Sequence, residues 1–153
     1  MSVATATYGQ SMTLPHPWRR LRELPEITLE WHDGGDAGWY DFATQTISLR
    51  RGMCQAERRS TLRHELEHHY RGTFLESLLE REEAACELAA ARDLIDIRKL
   101  GEALAWSLDL NVVADELWVD PALVEIRCRR LHPAERAYLR ERLVHWGDVE
   151  EQG

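Results

Sequence analysis

The chain has 153 residues and a formal net charge of −8, which argues against a general nucleic-acid surface, because that needs a basic face. At 44% hydrophobic and 30% charged residues it reads as one soluble globular domain with a single real core. The cysteines Cys54, Cys86 and Cys128 are odd in number, far apart and without a C-x-x-C, so neither a disulfide framework nor a cysteine zinc site is expected. Each reads as a small buried or half-buried residue. No apolar run reaches membrane-spanning length, and the first residues have neither the basic start nor the apolar core of a secretory signal, so cytoplasm is the expected location.

In chain order, residues 1–14 are small and polar and read as a loose tail. Pro15 and Pro17 break the chain, and a short helix over 18–24 is expected to end before Pro25. Residues 27–31 alternate apolar and polar, the strand signal. A turn cluster at 33–38 leads to a second strand at 39–42, and a tight connection leads to a third at 46–49. Hairpin-like loops between them predict a small antiparallel sheet with one apolar face that needs cover. A helix is predicted over 55–71, ended by Gly72. A long helix follows over about 75–100, with the alternative that its second half, DIRKLGEALAW (96–106), is a separate helix broken near Gly101. Further helices are expected over 110–117, from Asp120-Pro121 to about 130, and from Pro133 to about 145. The domain is expected to occupy 15–146, its C-terminal helical part to run from about 101 to 146, and 147–153 to fray.

The helix over 55–71 contains His64-Glu65-Leu66-Glu67-His68, a complete H-E-x-x-H. Residues four apart share a helix face, so His64 and His68 can offer two nitrogens to one metal ion. Glu65 leaves the helix about 100° around from His64 and can act as general base beside that ion. Leu62 and Leu66 form an apolar ridge, with the two histidines on roughly the opposite side. The competing view is a solvated, charge-rich helix with scattered histidines.

A catalytic zinc takes three protein ligands and keeps one position open. The pattern with a third downstream histidine fails, since Arg71 and Phe74 stand where it needs Gly and His. The candidates are therefore glutamates of the next helix: Glu76, Glu80, Glu82, Glu83 and Glu87. At about 100° per residue, Glu82 has Leu75, Leu78, Leu79, Ala85, Cys86 and Ala89 within about 60°. A carboxylate in such an apolar stripe needs a partner. Glu82 is thus the expected third ligand and Glu83 the reserve, against the alternative that Glu82 pairs with an arginine such as Arg63 or Arg71. One Zn2+ per chain is expected. For steadying an oxyanion or for a supporting contact the candidates are His69, Tyr70 and His145. His69 shares the Leu62/Leu66 ridge and reads as packed, and Tyr70 reads as core. Trp31 and Trp39 are candidates for a cleft wall, although core packing is the expected role of most of the six tryptophans. Arg50-Arg51 and Arg58-Arg59 form a small basic patch that is either a partner surface or a solvated face.

With these residues in place the chain resembles the ImmA/IrrE family of metallo-endopeptidases. The resemblance is carried by His64-Glu65-Leu66-x-His68, by Glu82-x-x-Ala85-x-x-Leu88-Ala89, and by the later stretch ADELWVDPALVEIRCRRL, similar to the family's short helix-turn-helix-like pair. It covers roughly residues 25–132. It implies an α+β fold, a small three-stranded antiparallel sheet packed against a mainly helical zincin-like domain. It also implies zinc ligation by His64, His68 and Glu82, catalysis by Glu65, and a helix-turn-helix transcriptional repressor as protein substrate, often in phages and mobile elements. No nucleic-acid or membrane partner is expected. The sequence departs from the family at Glu67, where Gly is usual, at Leu88, which replaces Phe, and in a short His68–Glu82 spacing. A second reading, from a different class, is a metal-stabilised module that sequesters or remodels a repressor without hydrolysing it.

Overall fold

The computed structural model describes residues 16–143. Helix α1 (Pro17–Arg22) leads into β1 (Thr28–His32), β2 (Gly38–Asp41) and β3 (Thr46–Arg50). Helices α2 (Gln55–Arg71), α3 (Leu79–Leu94), α4 (Ile97–Trp106), α5 (Leu110–Leu117), α6 (Pro121–Arg129) and α7 (Pro133–Arg142) follow, with a single 3₁₀ turn at Glu76–Leu78 ahead of α3. The class is α+β, as expected. The tail over 1–14, His145, Trp146 and the stretch 147–153 lie outside the described residues.

The sheet corrects the expected antiparallel meander. Its order is β1-β3-β2: β3 lies in the middle, antiparallel to β2 and parallel to β1. The five residues between β1 and β2 do not make a tight hairpin. They cross the width of one strand, a step of about 10 Å that five residues span easily. Gly34 and Gly35, both in the left-handed region (φ 65° and 71°), turn this loop. Arg50 Nη1 donates to the Gly35 carbonyl at 2.7 Å and Arg51 pairs with Asp33, so this half of the basic patch is used to pin the loop. As the central strand, β3 buries Ile47, Ser48 and Leu49 in succession, where an edge strand would alternate.

Helix α2 covers the sheet. Leu62 and Leu66 are fully buried against Ile27, Ile47, Leu49 and Met53. At Gly38 a Cβ would come within 2.6 Å of Thr61 Cγ2, so only glycine lets β2 approach α2 this closely. The other side of α2 holds the later helices. Ser60 Oγ accepts from the Asp120 backbone N–H at 3.1 Å, and Arg59 Nη1 donates to the carbonyls of Leu117 and Trp118. A second apolar cluster, with Ala90, Ile95, Leu100, Val113, Val124 and Leu139 at its centre, joins α3 through α7.

The long helix divides at Ile95-Asp96, so the alternative of a separate helix over 96–106 holds, while Gly101 is not the break. Asp96 accepts hydrogen bonds from the N–H groups of Arg98 and Lys99 and caps a new helix. Gly101 sits inside α4 for packing, since a Cβ there would meet Tyr138 at 3.2 Å and Leu139 at 3.4 Å. The expected core role of the tryptophans also fails in most cases. Trp31, Trp39, Trp106 and Trp118 are exposed, Trp106 to 89%. Trp31 stacks on Trp18, and Trp39 stacks on His32. Tyr70, expected in the core, is 47% exposed. Cys54 is exposed rather than buried, while Cys86 is buried and Cys128 is half-buried. No helix among the described residues is long and apolar enough to cross a membrane.

The helical half is anchored by Arg127, buried in the second cluster. Its guanidinium grips both Glu135 oxygens and its Nε donates to the Ile95 carbonyl at 3.0 Å. This grip holds the Glu135 carboxyl below the ordinary glutamate value of 4.5. Glu135→Gln leaves a buried guanidinium short of its counter-charge and is expected to lower stability at neutral pH by about 2 kcal/mol in urea unfolding. Because the folded-state pKa is depressed, the wild-type advantage is complete above pH 4.5 and is lost as pH falls through the lower folded value. The unfolding curves of the two proteins should therefore converge in acid.

Candidate metal centre

Helix α2 is well set to present its polar face. Its start is capped by the Glu57 carboxylate, which accepts from the Cys54 N–H at 3.1 Å, and it ends at Gly72 with φ 80°. With Leu62 and Leu66 on the sheet, His64 and His68 emerge into a cleft between β2 and the helices α3 and α6. The cleft holds about 610 Å³. Gly38, Trp39, Tyr40 and Phe42 line its sheet side, while Phe74, Leu79, Glu83 and Glu87 line the α3 side.

Within it, ligand atoms of His64, His68 and Glu83 all lie within 4.8 Å of one another. One Glu83 oxygen is 2.9 Å from His64 Nε2 and the other is 2.9 Å from His68 Nε2. The His68 ring is stacked on Phe74 and edged by Phe42, and its Nδ1 is 3.5 Å from Cys86 Sγ. Burial pushes the Cys86 thiol up to about 12, so it stays neutral. With an ion on Nε2, Nδ1–H would donate a hydrogen bond to the sulfur, which would fix the ring. Burial also holds His64 below the usual histidine range, against the opposing pull of Glu83, and so keeps the imidazole in the neutral form that binds cations. Two imidazole nitrogens and a carboxylate oxygen form a donor set that could hold a metal ion.

The carboxylate in this set is Glu83, not the expected Glu82. Glu82 instead receives both Arg71 Nε and Arg71 Nη2, at 2.8 and 2.9 Å, and this fork lowers its pKa. The error has a definite origin. The helical wheel ran unbroken from Leu75, whereas α3 starts only at Leu79, after the 3₁₀ turn. Leu75 and Leu78 are exposed and do not mark the buried face. The buried face of α3 is set by Cys86, Ala90 and Ala91, whose mean direction at about 100° per residue coincides with Glu83 and lies about 100° from Glu82.

Glu65 is 5% exposed, lines the cleft, and makes no hydrogen bond or ion pair among the described residues. Burial first, then Glu83 and Asp36, push its carboxyl up to about 8. A dication beside it would reverse that push. Glu67, the departure from the family pattern, adds no charge here, since it turns away to Arg63 at 2.8 Å. Of the candidates for an oxyanion or a supporting contact, His69 Nδ1 bonds the Tyr40 hydroxyl at 2.8 Å and its Nε2 approaches Glu26. Neither His69 nor the exposed Tyr70 lines the cleft, whereas Tyr40 does. Trp39 lines it and Trp31 does not. Sequence reasoning passed over Cys86, Phe42 and Phe74 as the residues that hold His68, because nothing local signals contacts made across elements.

No protein-family model matches the chain, and no curated protein and no solved structure matches it.

Separating the two glutamates is a direct measurement. In metal titrations of chelator-stripped protein, Glu83→Ala and His64→Ala are expected to lose more than about 100-fold in affinity, while Glu82→Ala stays close to wild type. Equal loss in the two glutamate variants would return Glu82 to the ligand set.

Proposed function

We propose that the chain is a zinc-dependent endopeptidase of ImmA/IrrE kind, with a zincin-like site, that acts in the cytoplasm on a partner regulator, a helix-turn-helix repressor. The observation that carries this reading is a buried Glu65, without a hydrogen bond or ion pair among the described residues, beside the His64–His68–Glu83 group in an open cleft. The residues fit one zinc ion: two nitrogens and one carboxylate oxygen leave a coordination position free. Bound there, zinc would supply Lewis acidity toward water and a peptide carbonyl.

The chain's own groups supply the rest. Glu65 takes the proton of the attacking water on its carboxylate and returns it to the nitrogen of the leaving amine. Exclusion from bulk water raises the proton affinity of that carboxylate, and no described residue competes for it, which leaves it free for the transfer. Phe42, Phe74 and Cys86 hold His68, so a ligand's position does not depend on a mobile side chain. β2 is an edge strand and lines the cleft, so its backbone can hydrogen-bond an extended peptide beside Glu65. The three unpaired cysteines support a reducing location.

Glu65→Gln should keep its fold and its zinc and lose cleavage of a quenched fluorescent peptide library by about 10³-fold. Undiminished biological activity in that variant, with loss in His64→Ala, would point instead to the non-hydrolytic module that sequesters a repressor.

A further inference from the structure

Five carboxylates line the cleft, those of Asp36, Glu65, Glu83, Glu87 and Asp120, and no described lysine or arginine does. A divalent cation at His64, His68 and Glu83 would offset two of these charges and leave the lining net negative. Three arginines around it are committed elsewhere: Arg50 to the Gly35 carbonyl, Arg63 to Asp93 and Glu67, and Arg71 to Glu82. Asp120 caps α6 by accepting from the Ala122 N–H. Asp36 and Glu87 have no such role, since neither carboxylate makes a hydrogen bond or ion pair among the described residues. They stand on different walls. Asp36 is in the β1–β2 loop, and Glu87 is one turn after Glu83 on α3. Glu65, 5% exposed and without a hydrogen bond or ion pair among the described residues, lines the same cleft.

We infer that the cleft takes a peptide carrying lysine or arginine on both sides of the bond presented to Glu65, with Asp36 and Glu87 receiving the basic heads. The Trp39, Tyr40, Phe42 and Phe74 side chains of the same cleft supply surfaces for the alkyl stems. The fate of that peptide rests on the endopeptidase reading, but its capture does not. The chain's net charge of −8 acts in the same direction at longer range.

The test uses zinc-loaded full-length Glu65→Gln protein and fluorescein-labelled peptides with a shared apolar centre, flanked by Lys/Arg, Gln or Glu. By fluorescence anisotropy at low salt, the basic peptide should bind at least about tenfold tighter than the Gln peptide, and the Glu peptide weakest. The advantage should shrink toward unity at about 1 M salt. Asp36→Lys/Glu87→Lys should invert the order, and Asp36→Asn/Glu87→Gln should fall between. Equal binding of the three peptides, or a basic preference that survives the double reversal, overturns the inference. Basic preference in binding with no cleavage by wild type sinks the endopeptidase reading alone, and cleavage without basic preference sinks this inference alone.

Discussion

Arg63 and Asp93 form an ion pair with side chains only 8% and 10% exposed. Arg63 also holds Glu67 of its own helix, and Asp93 also receives Arg20 of α1. This buried chain of charges ties α1, α2 and α3 together. It matters because the candidate centre draws its donors from two helices, the histidines from α2 and the glutamate from α3. An ion pair this buried is expensive to break, since removal of one member strands the other charge, at about 3–5 kcal/mol. The cost does not make the protein more stable than an apolar contact would. It fixes which side chains meet, and the separation of the two helices is what brings Glu83 within reach of both imidazoles.

A division of labour around α2 follows from that lock. One face carries Leu62 and Leu66 into the sheet, a second carries Arg63 to α3, and a third carries His64, Glu65 and His68 into the cleft. Three of the positive charges beside the motif are spent on structure. Arg59 serves the end of α5, Arg63 serves Asp93, and Arg71 serves Glu82. No described lysine or arginine lines the cleft to neutralise it. The acidity of the site is therefore a by-product of how the scaffold uses its arginines, as well as of the carboxylates themselves.

What could be read from the sequence divides along lines of range. The motif helix was legible to its boundaries, because H-E-x-x-H, the Leu62/Leu66 ridge and the terminal Gly72 are local signals. So were α5 and the Asp120-Pro121 start of α6. The strand order was not, because whether β3 pairs beside β2 or slips between β1 and β2 depends on contacts distant in sequence. The third donor failed for a subtler reason. A wheel is only as good as its origin, and one 3₁₀ turn shifts the phase enough to exchange adjacent residues. Glu82 and Glu83 differ by one position and end on different partners, Arg71 for one and the imidazoles for the other.

Gly38 has a mechanical consequence. With Thr61 Cγ2 standing 2.6 Å from where a side chain would begin, β2 rests on α2 with no slack between them. A strand seated this closely cannot slide or lift without unpacking its neighbours, because protein interiors transmit displacement rather than absorb it. The floor that would register a bound chain and the helix that bears Glu65 therefore move as one body. Any widening of the cleft to admit a bulky segment has to come from the opposite jaw, where Phe74, Leu79 and the start of α6 make the wall.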